Sequence, residues 1–86
     1  MADQDVQRNA LLVVQALRQS AMDGYRLMAR TGLDAKSLVA AVASIPSVVS
    51  LKGELLETRI GEAYFFVTPN AMSTAELMVK NPSYKP

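Results

Sequence analysis

Apolar residues recur with a helical period in the first quarter of the chain. Between Val6 and Ala21 they form a wide stripe, and glutamine and arginine fill the opposite side. This spacing predicts an amphipathic helix over residues 6–21, with Asp5 as its N-cap. The width of the stripe fits a first core helix, and it also fits a helix that contacts a second subunit.

The next segment, Asp23–Ile45, predicts two short helices joined by a tight turn. Gly32 adopts a positive φ at little cost, as a sharp turn between helices requires. Asp34 is placed to cap the second helix by accepting a hydrogen bond from its free N–H groups. The apolar positions of that helix follow at i, i+4 and i+7, namely Leu38, Val42 and Ile45. The segment therefore predicts a helix-turn-helix.

The period changes after Pro46, which ends the second helix. Residues 48–52 and 63–68 are rich in β-branched and aromatic side chains and predict two antiparallel strands of a hairpin. Between them GELLETRIGE forms either a long hairpin tip or a segment with one helical turn. Because alternate residues of a strand face opposite sides, Phe65 or Phe66 should be in the core rather than in an aromatic stacking platform with Tyr64.

The last predicted element is a short helix over residues 71–80, with Met72, Ala75, Leu77 and Met78 directed to the core or to a partner. Residues 1–5 and 81–86 are expected to be flexible ends. With 86 residues the chain has room for one core, so residues 1–86 should form a single domain.

Composition narrows the possible functions. The chain has no cysteine and no histidine, which excludes disulfides and thiolate metal sites and removes the commonest general base. No catalytic or phosphate-loop motif is present, so we expect no enzyme activity, no metal and no cofactor. No apolar run is long enough to span a bilayer and the first residues do not resemble a secretory signal, so we expect a cytoplasmic protein without a membrane partner.

The order of the predicted elements and the segment GYRLMARTGLDAKSLVAAVASI resemble the winged helix-turn-helix superfamily, as in PadR-like and MarR-like transcriptional regulators. The residues that carry the resemblance are Tyr25, Leu27, Arg30, Thr31, Gly32, Leu33, Asp34, Leu38, Val42 and Ile45. It covers about residues 6–68. It implies an α+β fold, a winged helix with a three-helix helix-turn-helix core, a two-stranded β-hairpin wing and a short C-terminal helix. It also implies a small transcriptional regulator that binds duplex DNA as a homodimer.

In that superfamily the second helix of the motif lies in the major groove. By resemblance, its DNA-facing residues here are Lys36, Ser37, Ala40 and Ser44, supported by Arg30 and Arg26 on the preceding helix, Lys52 at a strand end and Arg59 on the wing. A solvated surface of mixed charge is an equally good interpretation of these cations. Glu54, Glu57 and Glu62 lie on the same hairpin, and the chain carries nine basic and eight acidic residues.

A protein–protein interaction module is the alternative function. Base readout favours arginine, lysine, asparagine and glutamine, whereas this helix offers one lysine and two serines. A winged helix that has lost DNA readout would dock a protein partner through Val39, Ala40 and Ala43. The two functions differ in the charge expected around Lys36, Lys52 and Arg59, since neutralisation by the nearby glutamates favours the interaction module.

Overall fold

Helices and short strands alternate along residues 2–84, which are the residues described by the computed structural model of the chain. In order, the elements are α1 (Ala2–Gln19), β1 (Met22–Asp23), α2 (Gly24–Thr31), α3 (Ala35–Ala43), β2 (Ser50–Lys52), β3 (Tyr64–Phe66) and α4 (Met72–Lys80). Two 3-10 turns, Ile60–Glu62 and Pro69–Ala71, precede β3 and α4. The α+β class is confirmed. Of the expected flexible ends, Met1 and residues 85–86 lie outside the described residues.

Helix α1 begins and ends earlier than predicted. It starts at Ala2, because residues 2–5 contain no glycine or proline that would stop a helix. The prediction that Asp5 is the N-cap was wrong, since Asp5 lies inside the helix and pairs with Arg8 at 3.1 Å. The helix ends at Gln19 rather than Ala21, and the chain then extends into β1.

The two short helices and the tight turn between them form as predicted, although the second helix ends at Ala43 rather than Ile45. Asp23 caps α2 by accepting a hydrogen bond from the Arg26 N–H at 2.8 Å, and Gly32 ends this helix with φ 76°. Asp34 caps α3 in the same way, with the Ser37 N–H as donor at 2.8 Å. Local backbone chemistry therefore sets both ends of the turn.

The sheet contains a strand that the sequence did not predict. Its order is β1-β3-β2 and both pairings are antiparallel. Phe65 of β3 lies between Met22 of β1 and Leu51 of β2. A two-residue strand shows no alternating pattern, so β1 could not be recognised before its partner was in place. The expected two-stranded hairpin is thus part of a three-stranded sheet.

The core lies between α1, the helix-turn-helix and the inner face of the sheet. Its largest fully buried side chains are Phe65, Leu27, Leu38, Ile60, Val13, Val14, Val42 and Val48. Phe65 is the inward aromatic residue of β3, whereas Tyr64 and Phe66 lie on the outer face. Ala75 and Met78 of α4 are buried, but Leu77, which we expected to face the core or a partner, is 47% exposed.

The segment between β2 and β3 folds back onto α2. It contains the 3-10 turn Ile60–Glu62, and Ile60 is buried. The Gly24 N–H donates to the Ala63 carbonyl at 2.8 Å. A Cβ atom at Gly24 would lie only 2.6 Å from the Ile60 carbonyl carbon and 2.9 Å from the Gly61 Cα. Glycine is therefore required where this segment meets the start of α2.

Candidate nucleic-acid interface

The outer surface of α3 carries a polar side chain at its start and small side chains along the rest of its length. Lys36, Ala40 and Ser44 are exposed and follow one another at intervals of four residues, which places them on one side of the helix. The Ser44 hydroxyl donates to the Ala41 carbonyl at 2.7 Å. Its proton is therefore committed within the helix, and the remaining side-chain hydrogen-bond donor of this stripe is Lys36.

Two residues expected on that outer surface are only half-exposed. Ser37 is half-buried, and its N–H binds the Asp34 carboxylate. Val39 is half-buried and packs against the core, because it lies three residues before the buried Val42 and so on the flank of the inward face. Of the residues expected to form a protein interface, Ala40 and Ala43 are exposed.

Asp34 caps α3 and also places a negative charge close enough to Lys36 for the two to interact. The pKa of the Asp34 carboxyl lies below its ordinary value because of hydrogen bonds from the backbone and side chain of Ser37, and the charge of Lys36 acts in the same direction. The carboxylate is therefore held as an anion at the start of α3. It offsets part of the positive potential that Lys36 contributes there.

Arg26 and Arg30 project from α2 one helical turn apart, and both are exposed. Lys52 is exposed at the end of β2, where it lies opposite Tyr64 in the sheet. Within residues 5–84, whose side chains are described, Arg26, Arg30, Lys36 and Lys52 have no carboxylate oxygen within 4.0 Å. We call these four residues the unpaired cation set.

Arg59 differs from this set. Its Nε atom lies 3.2 Å from Glu54 Oε1, and a terminal guanidinium nitrogen lies 3.9 Å from Glu62 Oε1. These pairs are exposed, so they add little to stability, but they reduce the positive potential of the predicted wing. The pairing of Arg59 with Glu54 and Glu62 is the neutralisation by nearby glutamates that the sequence left open.

The paired and unpaired cations are distributed unevenly over the fold. Arg8 and Arg18 on α1 bind Asp5 and Glu76, and Arg59 binds two glutamates. Apart from Lys80 on α4, the cations without such a partner in the described residues belong to α2, α3 and β2. Lys80 apart, in the described residues α2, α3 and β2 thus carry the cations that have no carboxylate oxygen within 4.0 Å.

The outer face of the sheet carries an aromatic pair, Tyr64 and Phe66, beside Lys52 of the unpaired cation set. The ring centroids of Tyr64 and Phe66 are 6.3 Å apart and their planes are inclined by 35°. Tyr64 is 46% exposed. The alternation of the strand was the sequence signal for this pair, but only the register placed Lys52 beside Tyr64.

Comparison with protein-family models, with curated proteins and with solved structures gives no significant match. Over the described part of the chain, no helix is both long and apolar enough to cross a membrane. In the same residues no three acidic side chains gather in a way that could hold a metal ion. The function is therefore inferred from the chemistry of the surface.

Proposed function

We propose that this chain is a winged-helix domain that binds duplex DNA as a homodimer and serves as a small cytoplasmic transcriptional regulator. The order helix, strand, helix, helix, strand, strand supports the winged-helix fold, as does a sheet in which β1 joins the helix-turn-helix to the hairpin. The observation that carries the DNA-binding proposal is the unpaired cation set on α2, α3 and β2. Phosphate groups are the natural partners of such charges.

The dimensions of α3 fit a groove-binding role. An α-helix with its side chains is about 10–12 Å in diameter, which matches the major groove of about 12 Å, and α3 offers nine residues to lie in it. Ala40 and Ala43 permit close approach to the groove floor and can contact thymine methyl groups. With Lys36 as the long donor of the helix, phosphate contacts should dominate affinity and sequence preference should be low.

Two copies of the domain would make the binding stronger. A single domain with one short recognition helix makes few contacts, and a two-fold axis doubles them on a palindromic site. The terminal helices α1 and α4 are the proposed dimer contact, and the exposed Leu77 on α4 supports this choice. Light scattering during size-exclusion chromatography measures the mass of the particle and tests the dimer directly.

The test of DNA binding is the affinity for a labelled mixed-sequence duplex across a salt series. If all four members of the unpaired cation set contact phosphate, the log–log slope should be about −3.6 for each protomer. Arg30→Glu and Lys36→Glu should weaken binding strongly. Lys80→Glu changes charge by the same amount away from α2, α3 and β2, and it serves as the matched control once light scattering shows that its oligomeric state equals that of the wild type. Equal losses in all three variants, or no binding at low salt, would rule out this interface.

The pairing of Arg59 with Glu54 and Glu62 favours a second candidate, an interaction module that docks a protein on α3. The exposed Ala40 and Ala43 give α3 a flat, uncharged surface on which a protein could pack. Ala40→Arg separates the two functions, because it adds a cation to the DNA-facing side but obstructs close packing of a protein. If the domain binds DNA, duplex affinity should be largely retained with this variant, because the added arginine can contact a phosphate at the groove edge and so offsets the loss of close approach at Ala40. If the wild-type protein binds no duplex, the interaction module becomes the leading function.

A further inference from the structure

The outer face of the sheet carries more aromatic surface than the core requires. The pleat directs Met22, Leu51 and Phe65 inward, and their paired register makes one continuous inner row. Tyr64 and Phe66 occupy the alternate positions of β3 and therefore share the outer face. Tyr64 is 46% exposed even though Phe66 lies beside it. This pair serves no packing role comparable to that of Phe65.

The separation of the two rings suits individual nucleobases. Their centroids are 6.3 Å apart, which is nearly twice the spacing of about 3.4 Å between stacked bases in a duplex. Two bases of an extended single strand could therefore each stack on a ring, whereas successive bases of a duplex remain stacked on one another. Base stacking on aromatic side chains is also tolerant of sequence.

Charge on this face is asymmetric across Tyr64. Lys52 on β2 lies opposite Tyr64 on one side, and Asp23 on β1 lies opposite it on the other. Paired residues of antiparallel strands project to the same side of a sheet, so all three share the outer face. Lys52 has no carboxylate within 4.0 Å in the described residues. The Asp23 carboxylate is held by the Arg26 N–H at 2.8 Å. A phosphate is thus attracted on the β2 side and repelled on the β1 side.

We propose that the outer sheet face formed by Tyr64, Phe66 and Lys52 binds single-stranded nucleic acid. Bases stack on the two rings, and the sugar–phosphate backbone runs along the β2 side next to Lys52. This site is separate from the duplex interface assigned to α2 and α3, except that Lys52 belongs to both. It goes beyond the proposed function and does not depend on it.

The test is fluorescence anisotropy of the full chain with labelled oligo-dT and oligo-U at low salt. Tyr64→Ala should weaken binding about tenfold, which lies within the range that one base–aromatic stack contributes. Tyr64→Phe keeps the ring and should bind like the wild type. Tyr25→Ala is the matched control, because Tyr25 is the more exposed tyrosine (66%) and lies on α2. Circular dichroism of each variant checks that the fold is retained.

Two charge variants test the orientation of the strand. Lys52→Glu should reduce affinity, and Asp23→Asn should raise it, because asparagine still caps α2 but no longer repels phosphate. The site is excluded if neither oligonucleotide binds at low salt, or if Tyr25→Ala costs as much affinity as Tyr64→Ala. A separate variant tests the duplex interface, so the two proposals can fail independently. Arg30→Glu should weaken duplex binding and leave single-strand binding unchanged. A preference for oligo-U over oligo-dT, or the reverse, would identify which nucleic acid the face selects.

Discussion

Gly24 should be the least replaceable glycine of this fold. An alanine in place of a helical glycine usually stabilises a protein by roughly 0.5–1 kcal/mol. At position 24, however, the new Cβ would lie 2.6 Å from the Ile60 carbonyl carbon and 2.9 Å from the Gly61 Cα. Both atoms belong to backbone, so the 3-10 turn must move away from α2.

The expected cost follows from what that movement disturbs. Overpacking of this kind costs about 1–3 kcal/mol, and the hydrogen bond from the Gly24 N–H to the Ala63 carbonyl would be strained or lost, at about 1 kcal/mol. After the usual helical gain of alanine, we expect Gly24→Ala to lower the free energy of unfolding by about 2 kcal/mol. In a domain of this size the melting temperature should fall by roughly 10 °C.

Two other glycines provide matched controls. Gly61→Ala would bring its Cβ 2.5 Å from a ring atom of Tyr25, but this exposed side chain can swing away, so the loss should be smaller. A Cβ atom at Gly32 would have no neighbouring atom within 4 Å, so only the positive φ disfavours alanine there. We expect Gly32→Ala to lower the free energy of unfolding by about 1 kcal/mol. Urea unfolding followed by circular dichroism at 25 °C gives all three values. If Gly24→Ala is as stable as the wild type, the close contact between α2 and the turn is wrong.

Three further predictions concern the core, the α3 cap and the wing. Phe65→Ala should destabilise the domain by about 3–5 kcal/mol, far more than Tyr64→Ala, as urea unfolding will show. Because the pKa of Asp34 is lowered, its stabilising contribution is present above about pH 4 and is lost as the pH falls through its folded-state pKa. Asp34→Asn, which still caps the helix, should flatten that part of the pH dependence of the urea midpoint. Glu54→Gln removes the closer of the two carboxylates that pair with Arg59 and should raise duplex affinity, and an unchanged affinity would place Arg59 outside the interface.

The sequence alone determined the elements whose causes are local. The helical period predicted α1, and the apolar spacing together with Gly32 and Asp34 predicted the helix-turn-helix, because a cap or a left-handed residue acts within one turn of its own position. The hairpin strands and α4 followed from β-branched content and from the proline that separates them. These features needed no knowledge of the rest of the fold, so a single sequence was sufficient to find them.

Only the tertiary structure decided the features that join distant parts of the chain. β1 exists because β3 lies beside it, and the segment before β3 rests on α2 because Gly24 permits the contact. The choice of Phe65 over Phe66 for the core depended on the register of the sheet. The ion pairs also depend on the fold. Arg18 and Arg59 lie near carboxylates in the folded chain, whereas the unpaired cation set does not. Such pairings depend on distances through space, which the order of residues does not specify.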